Sequence, residues 1–257
     1  MLSIVEQGLV RVVRVEERPV DLVRLSYRDE VGADHVVGLD QARHVAFERC
    51  RMARGIPSHR GQAHTPGRYW SATMGDLVEY ESYLECKCFM LLDFDVDVVE
   101  FASQPMVIDG VDGQGSWRHV PDVFARRADG SAWLLDVKNP ERLERPEVRL
   151  QAERTARVCA RLGCDYQMVG EPAAQRGANV SWLSGYRRPV HLGAELMPRL
   201  VDLARRPVAI GDLLGFMEYP DVARAVLFHL CWRQMIVFDL DAPLRETTLV
   251  VAQAGAR

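Results

Sequence analysis

Apolar and polar residues alternate at the start of the chain. GLVRVVRV (8–15) and VDLVRLSYR (20–28) are rich in β-branched side chains at a period of two and predict two strands. The spacing over 41–54 predicts a helix, and the Gly-, Pro- and His-containing stretch 55–67 a loop. Asp76 lies three residues before Glu79, a capping-box spacing that predicts a helix running to about 92. DVDVVEFASQPMVI (95–108) predicts a strand with a turn beyond it, and DGVDGQGSW (109–117) a glycine-rich surface loop. A long amphipathic pattern over 145–162 stops at Gly163, a helix-ending glycine, and CDYQMVG (164–170) follows as a strand. The character changes after Glu171-Pro172. AAQRGANVSWLSGYRRPV (173–190) predicts a linker, and 193–207, 209–219 and 220–234 three short helices, the last with Pro220 in its first turn. Two strands around a turn at 241–243 complete the layout of a winged helix. The expected organisation is a domain over 1–171 with a strand-rich N-terminal extension, then a linker and winged-helix domain over 172–257.

The stretch between the loop and the long helix, HVPDVFARRADGSAWLLDVKNP (119–140), carries the candidate chemistry. Arg127-Ala128-Asp129-Gly130-Ser131 fits a three-residue hairpin loop with glycine at the left-handed position. Closing the pair 127:131 sets the register 126:132, 124:134 and 122:136. Asp122 then opposes Asp136, and Lys138 follows on the same face. A two-residue loop would slip the register and put the aspartates on opposite faces. Two carboxylates on apolar strands repel and need compensation, which Lys138 or a divalent cation could supply. Hard oxygen ligands suit Mg²⁺ or Mn²⁺. Among Glu79, Glu81 and Glu85 on the preceding predicted helix, Glu79 is explained by the capping box. Glu85, set among Leu84, Cys86, Cys88 and Phe89, is the preferred third oxygen ligand, with Glu81, one turn away, as the alternative.

Charge sharpens this picture. The net charge is −4, with −7 over 77–171 and +2 over 172–257. Residues 41–68 hold six arginines, including Arg49, Arg51, Arg54 and Arg60, against Glu48 alone. That stripe is either a solvated face or a phosphate-contacting arm. Only two of 32 basic residues are lysines, so a lysine two residues after Asp136 suggests a position that needs a compact ammonium. The six cysteines fit no zinc spacing and are expected as buried thiols. No run is long enough for a membrane helix and no cleavable leader pattern is visible, so a cytoplasmic protein without a membrane partner is expected.

Pro121-Asp122, a hairpin, then Asp136-Val137-Lys138, with a glutamate on a preceding helix, resembles the PD-(D/E)xK nuclease superfamily. YLECKCFMLLDFDVDVVEFASQP (83–105), with the preceding Ser82, is similar to TnsA-like endonuclease subunits of heteromeric transposases, through Ser82, Leu84, Glu85, Leu91, Leu92, Asp93, Phe94 and Gln104. EVRLQAERTARVCARLGCDYQMVGE (147–171) resembles the closing helix and strand of that family, whose members also carry a C-terminal winged helix. Some of them have glutamine at the position of Asp136, where this chain has the commoner acid of the superfamily.

The resemblance implies an α/β fold: a restriction-endonuclease-like mixed sheet flanked by helices, followed by a smaller winged-helix domain. It implies Mg²⁺-dependent hydrolysis of a DNA phosphodiester, with Asp122, Asp136, Glu85 and the Val137 carbonyl holding the metal and Lys138 orienting the attacking water. Gln104 and His119 are auxiliary candidates: Gln104 could contact water or phosphate, or equally make a strand-end hydrogen bond, while His119 could touch a phosphate but reads first as an ordinary loop histidine. His59 and His64 are read as DNA contacts or as nothing. Double-stranded DNA and a DDE-type transposase subunit are the implied partners, with oligomerisation left open. The 220–234 helix could reach DNA through Arg224 and Arg233, or dock the partner through its apolar residues. The alternatives are a stand-alone restriction or defence nuclease, and a catalytically inactive DNA-binding scaffold.

Overall fold

The computed structural model of the chain describes residues 10–12, 22–55, 65–190, 193 and 195–254. The chain divides into two compact units, 1–171 and 172–257. The first is organised around the 119–140 hairpin. Strands β9 (Val123–Arg127) and β10 (Ala132–Val137) pair 126:132, 125:133, 124:134 and 123:135. Gly130 has φ +87 and Arg127 N–H donates to Ser131 O, the three-residue turn expected from the sequence.

The central sheet extends on both sides of this hairpin. Its order is β1 (Val10–Val12), β11 (Asp165–Val169), β10, β9, β6 (Val98–Ser103). β10 and β11 are parallel and the other pairings antiparallel. The parallel step needs a long crossover, and α3 (Pro146–Leu162) supplies it. α3 starts with proline at its first position and stops at Gly163, whose φ is +76. β10 is buried at every position, so it is covered on both faces.

Period-two geometry sorts the side chains. Phe124, Ala132, Leu134, Tyr166 and Met168 pack with Ala152 and Ala156 of α3. Val123, Ala125, Trp133, Leu135 and Val137 pack instead with Cys86, Cys88, Phe89 and Leu92 of α2 (Tyr83–Phe94). The sheet is therefore sandwiched, with α3 on one face and α2 on the other. A second sheet, β3 (Asp34–Gly38), β2 (Leu22–Arg28), β7 (Met106–Asp112), β8 (Gly115–His119), adds Val23, Leu25 and Ile108 to the α3-side core. The N-terminal strands are thus integral to the unit and not an extension: β1 edges the central sheet and β2 fills the core.

Three local expectations are corrected. Residues 41–54 hold only the end of a short helix, α1 (Leu39–Ala42), and a 3₁₀ turn (Phe47–Arg49) rather than one helix, with Phe47 buried against Phe124. Residues 76–80 form strand β5 (Asp76–Tyr80), paired with β4 (Gly67–Ser71), so Asp76 and Glu79 cap nothing. The true helix start is one capping box later, Ser82 with Glu85. Residues 109–117 are the β7–β8 hairpin rather than a loop; Gly115, at φ +111, ends its turn.

In the second unit, the expected linker is largely helix α4 (Ala174–Ser184). Its small and polar residues obscure the helical period, yet Val180 and Leu183 are buried. Arg176 bonds Asp241, and Asn179 donates to the carbonyls of Leu240 and Ala242. α5 (Met197–Leu203), α6 (Ile210–Gly215) and α7 (Pro220–Trp232) follow, with a sheet ordered β12 (Val208–Ala209), β14 (Leu249–Ala252), β13 (Ile236–Val237). Among the described residues no helix is long and apolar enough to cross a membrane. All six cysteines are free, and all but the half-buried Cys164 are buried.

Gly110 faces Trp117 across β7–β8, and a Cβ there would lie 2.3 Å from the indole. Gly110→Ala is expected to destabilise the protein by about 1–3 kcal/mol through overpacking, read as a lower urea midpoint.

Candidate functional site

Just beyond the last paired residues of β9 and β10, Val123 and Leu135, the side chains of Asp122, Asp136 and Lys138 come together. Lys138 Nζ lies 3.0 Å from Asp122 Oδ2 and 4.0 Å from Asp136 Oδ1. Asp122 Oδ2 also accepts from the Val137 N–H at 2.7 Å, so Val137 touches the site through its amide. Asp136, only 2% exposed, is held by two further groups. His119 Nε2 is 3.0 Å from Oδ1, and the Tyr166 hydroxyl donates to Oδ2 at 2.5 Å. Asp122, Asp136, Lys138 and His119 line one cleft of about 410 Å³, with Arg54, Arg118, Glu147 and Gln151 also on its wall.

The two aspartates differ electrostatically. Burial pushes the Asp122 carboxyl up; Lys138 opposes this, and the charge of Asp136 adds to it. Burial acts on Asp136 as well, but the charges of His119 and Lys138 and the bonds from His119 and Tyr166 overcome it, pulling that carboxyl down to about 2. Burial would lower Lys138, yet the two aspartates outweigh it and hold the side chain as an ammonium. Glu85 is raised by burial and by the charge of Asp122. The region thus carries more buried acid than Lys138 offsets.

Glu85, the expected third ligand, is engaged at the start of its own helix. Its carboxylate accepts from the Glu81 N–H at 3.0 Å and from Ser82 Oγ at 2.8 Å, closing the N-terminus of α2. Its charge still reaches the site: Asp122 helps to raise the Glu85 carboxyl, and Glu85 helps to raise Lys138. Among the described residues, no group of three His, Cys, Asp or Glu side chains stands together as a metal-holding set. Glu81 precedes the helix rather than riding on it, and accepts from Arg54 Nη2 at 2.9 Å. Gln104, buried at the β6–β7 turn with φ +43, ties in through its N–H to Asp122 O and its Oε1 to Arg54 Nε.

The basic stripe is mostly answered by distant groups. Arg49 pairs with Glu100, Arg51 donates to the Glu30 carbonyl, and Arg68 pairs with Glu79. Arg60, His59 and His64 lie outside the described residues. In the second unit Arg224 pairs with Glu246, and Arg233 caps the end of α7. The acid of the Leu91-Leu92-Asp93-Phe94 stretch is structural: buried Asp93 accepts from Tyr69, Ser71 and the backbone of Ala72 and Thr73. Sequence reasoning missed Tyr166, Glu147 and Gln151. The i, i+4 spacing of the last two was visible; Tyr166 emerges only from the parallel β10–β11 register.

For Asp136 the folded value of about 2 lies below the ordinary 3.8. Its charge therefore contributes stability that is present above about pH 4 and lost as pH falls toward 2. The difference is about 2 kcal/mol. Asp136→Asn should be less stable than the parent by about that amount near neutrality, and the gap should close with acidification, as urea midpoints would show. No protein-family model and no curated protein matches the chain, so the geometry itself is what bears on its chemistry.

Proposed function

We propose that the protein is a metal-dependent DNA endonuclease of the PD-(D/E)xK type, acting as the strand-nicking subunit of a heteromeric transposase beside a DDE-type partner. One observation carries this reading: Asp122, Asp136 and Lys138, from the ends of two adjacent strands, meet in one cleft with Lys138 bridging the carboxylates. Few structural needs would gather a buried and a half-buried acid beside one of only two lysines.

The donor set fits a hard cation. Asp122 is a half-buried carboxylate pushed toward its neutral form, with Asp136 and Glu85 adding negative potential that one ammonium offsets only in part. Asp122 and Asp136 would hold Mg²⁺ or Mn²⁺, which supplies Lewis-acid activation of water and neutralises a phosphate. The remaining work belongs to the chain. The Val137 amide fixes Asp122, while His119 and Tyr166 orient Asp136 and keep it ionised. Lys138, protonated, can donate to the attacking water or to a phosphate oxygen as charge builds.

In 172–257, helices α5, α6 and α7 with the β12–β14–β13 sheet, which follow α4, support reading this unit as a winged helix. Most of α7 is buried and Arg224 is engaged by Glu246, which favours α7 as a packing element. The position of Glu85, committed to its own helix, favours a second reading, a DNA-binding scaffold without catalysis.

Plasmid nicking separates the two. With Mg²⁺ the parent should nick, and Asp122→Ala and Lys138→Ala should each lose about 100-fold or more while keeping the parent circular dichroism. A scaffold would bind DNA equally with or without Mg²⁺ and nick in neither case.

A further inference from the structure

We propose that Arg54 binds a backbone phosphate of the DNA, its guanidinium held ready by Gln104 and passing from Glu81 to the phosphate when substrate enters the cleft. This rests on the nuclease reading and adds a residue and an exchange to it.

Arg54 is registered to the site by a single residue. Gln104 accepts the Ala53 N–H at 2.9 Å through its backbone carbonyl and the Arg54 Nε at 3.1 Å through its side chain. Gln104 also donates its N–H to Asp122 O at 2.9 Å. A non-glycine residue at φ +43 costs backbone energy and persists only where its surroundings hold it. Here it ties Arg54 to the strand end that carries Asp122.

The acid partner of Arg54 is incomplete. Glu81 takes one Nη2 bond on Oε2, while its Oε1 is buried with no hydrogen-bond partner. Three arginine–carboxylate pairs in this unit use both oxygens, Arg118 on Asp109, Arg154 on Asp112 and Arg126 on Glu48, whereas exposed pairs such as Arg68 on Glu79 use one. A bidentate pair is the stronger arrangement and the one a phosphate reproduces. Lys138 is committed to two carboxylates, and Arg118, on the same cleft wall, is held by both oxygens of Asp109. Arg54, with a side chain 46% exposed and a single bond to one oxygen of its acid, is the cation of this wall whose carboxylate partner is incomplete.

The test is binding of a fluorescein-labelled DNA duplex, read by anisotropy over a salt series without Mg²⁺ so that cleavage does not enter. Arg54→Gln should lower the slope of log K against log salt by about one. Glu81→Gln, which removes the competitor, should tighten binding about two- to fivefold. Both should keep the parent circular dichroism, and an Arg54 with only a structural role would not shift the slope. An unchanged slope in Arg54→Gln, or weaker binding in Glu81→Gln, overturns the proposal. If nicking nonetheless depends on Asp122, the nuclease reading survives that failure. A parent that binds no duplex overturns both.

Discussion

The pairing register of β9 and β10 is the constraint on which this unit depends. Gly130 in the left-handed region closes a three-residue turn, and Asp129 braces it by accepting from the backbone and hydroxyl of Ser131. From that turn outward, even-numbered residues face α3 and odd-numbered residues face α2. A slip of one residue would exchange the faces of one strand, exposing aromatic and aliphatic side chains to the wrong partners. The same register delivers Asp122, Asp136 and Lys138 to a common place. Core packing and candidate chemistry are thus specified by one turn.

Bringing two carboxylates together at the end of buried strands is unfavourable, and the neighbourhood shows how it is offset. Asp136 takes the larger share of compensation, from His119, Tyr166 and Lys138. Asp122 is left with Lys138 and an amide, and stays closer to protonation. This asymmetry keeps one acid firmly charged and the other responsive to a cation. An arginine at 138 would bring a wide planar fork where a compact ammonium reaches both acids. The other lysine, Lys87, lies beside Glu171 and over the Tyr83 ring.

The arginines illustrate how local charge misleads. Residues 41–68 look strongly basic along the chain, yet Glu100, Glu81 and Glu79 come from elsewhere to meet them. Such exposed pairs add little stability, but they remove net charge from the surface. What survives as candidate DNA contact is set by the quality of each pair and not by the number of arginines.

The hairpin, its turn, α3 with its stop at Gly163, and the meeting of Asp122, Asp136 and Lys138 were legible in the sequence, because each follows from short-range geometry: a period of two, a loop of fixed length, a glycine at a helix end. The capping box was misplaced by six residues because Asp76–Tyr80 satisfies both a cap spacing and a strand alternation, and only pairing with β4 decides between them. Helix α4 was hidden because its polar residues are spent on the chain around Asp241 rather than on solvent. The positions of Glu85, Tyr166 and Arg54 depend on which layer covers which face and on which strands lie side by side. Those are contacts between segments distant along the chain, which local periodicity cannot encode, so only the tertiary structure decided them.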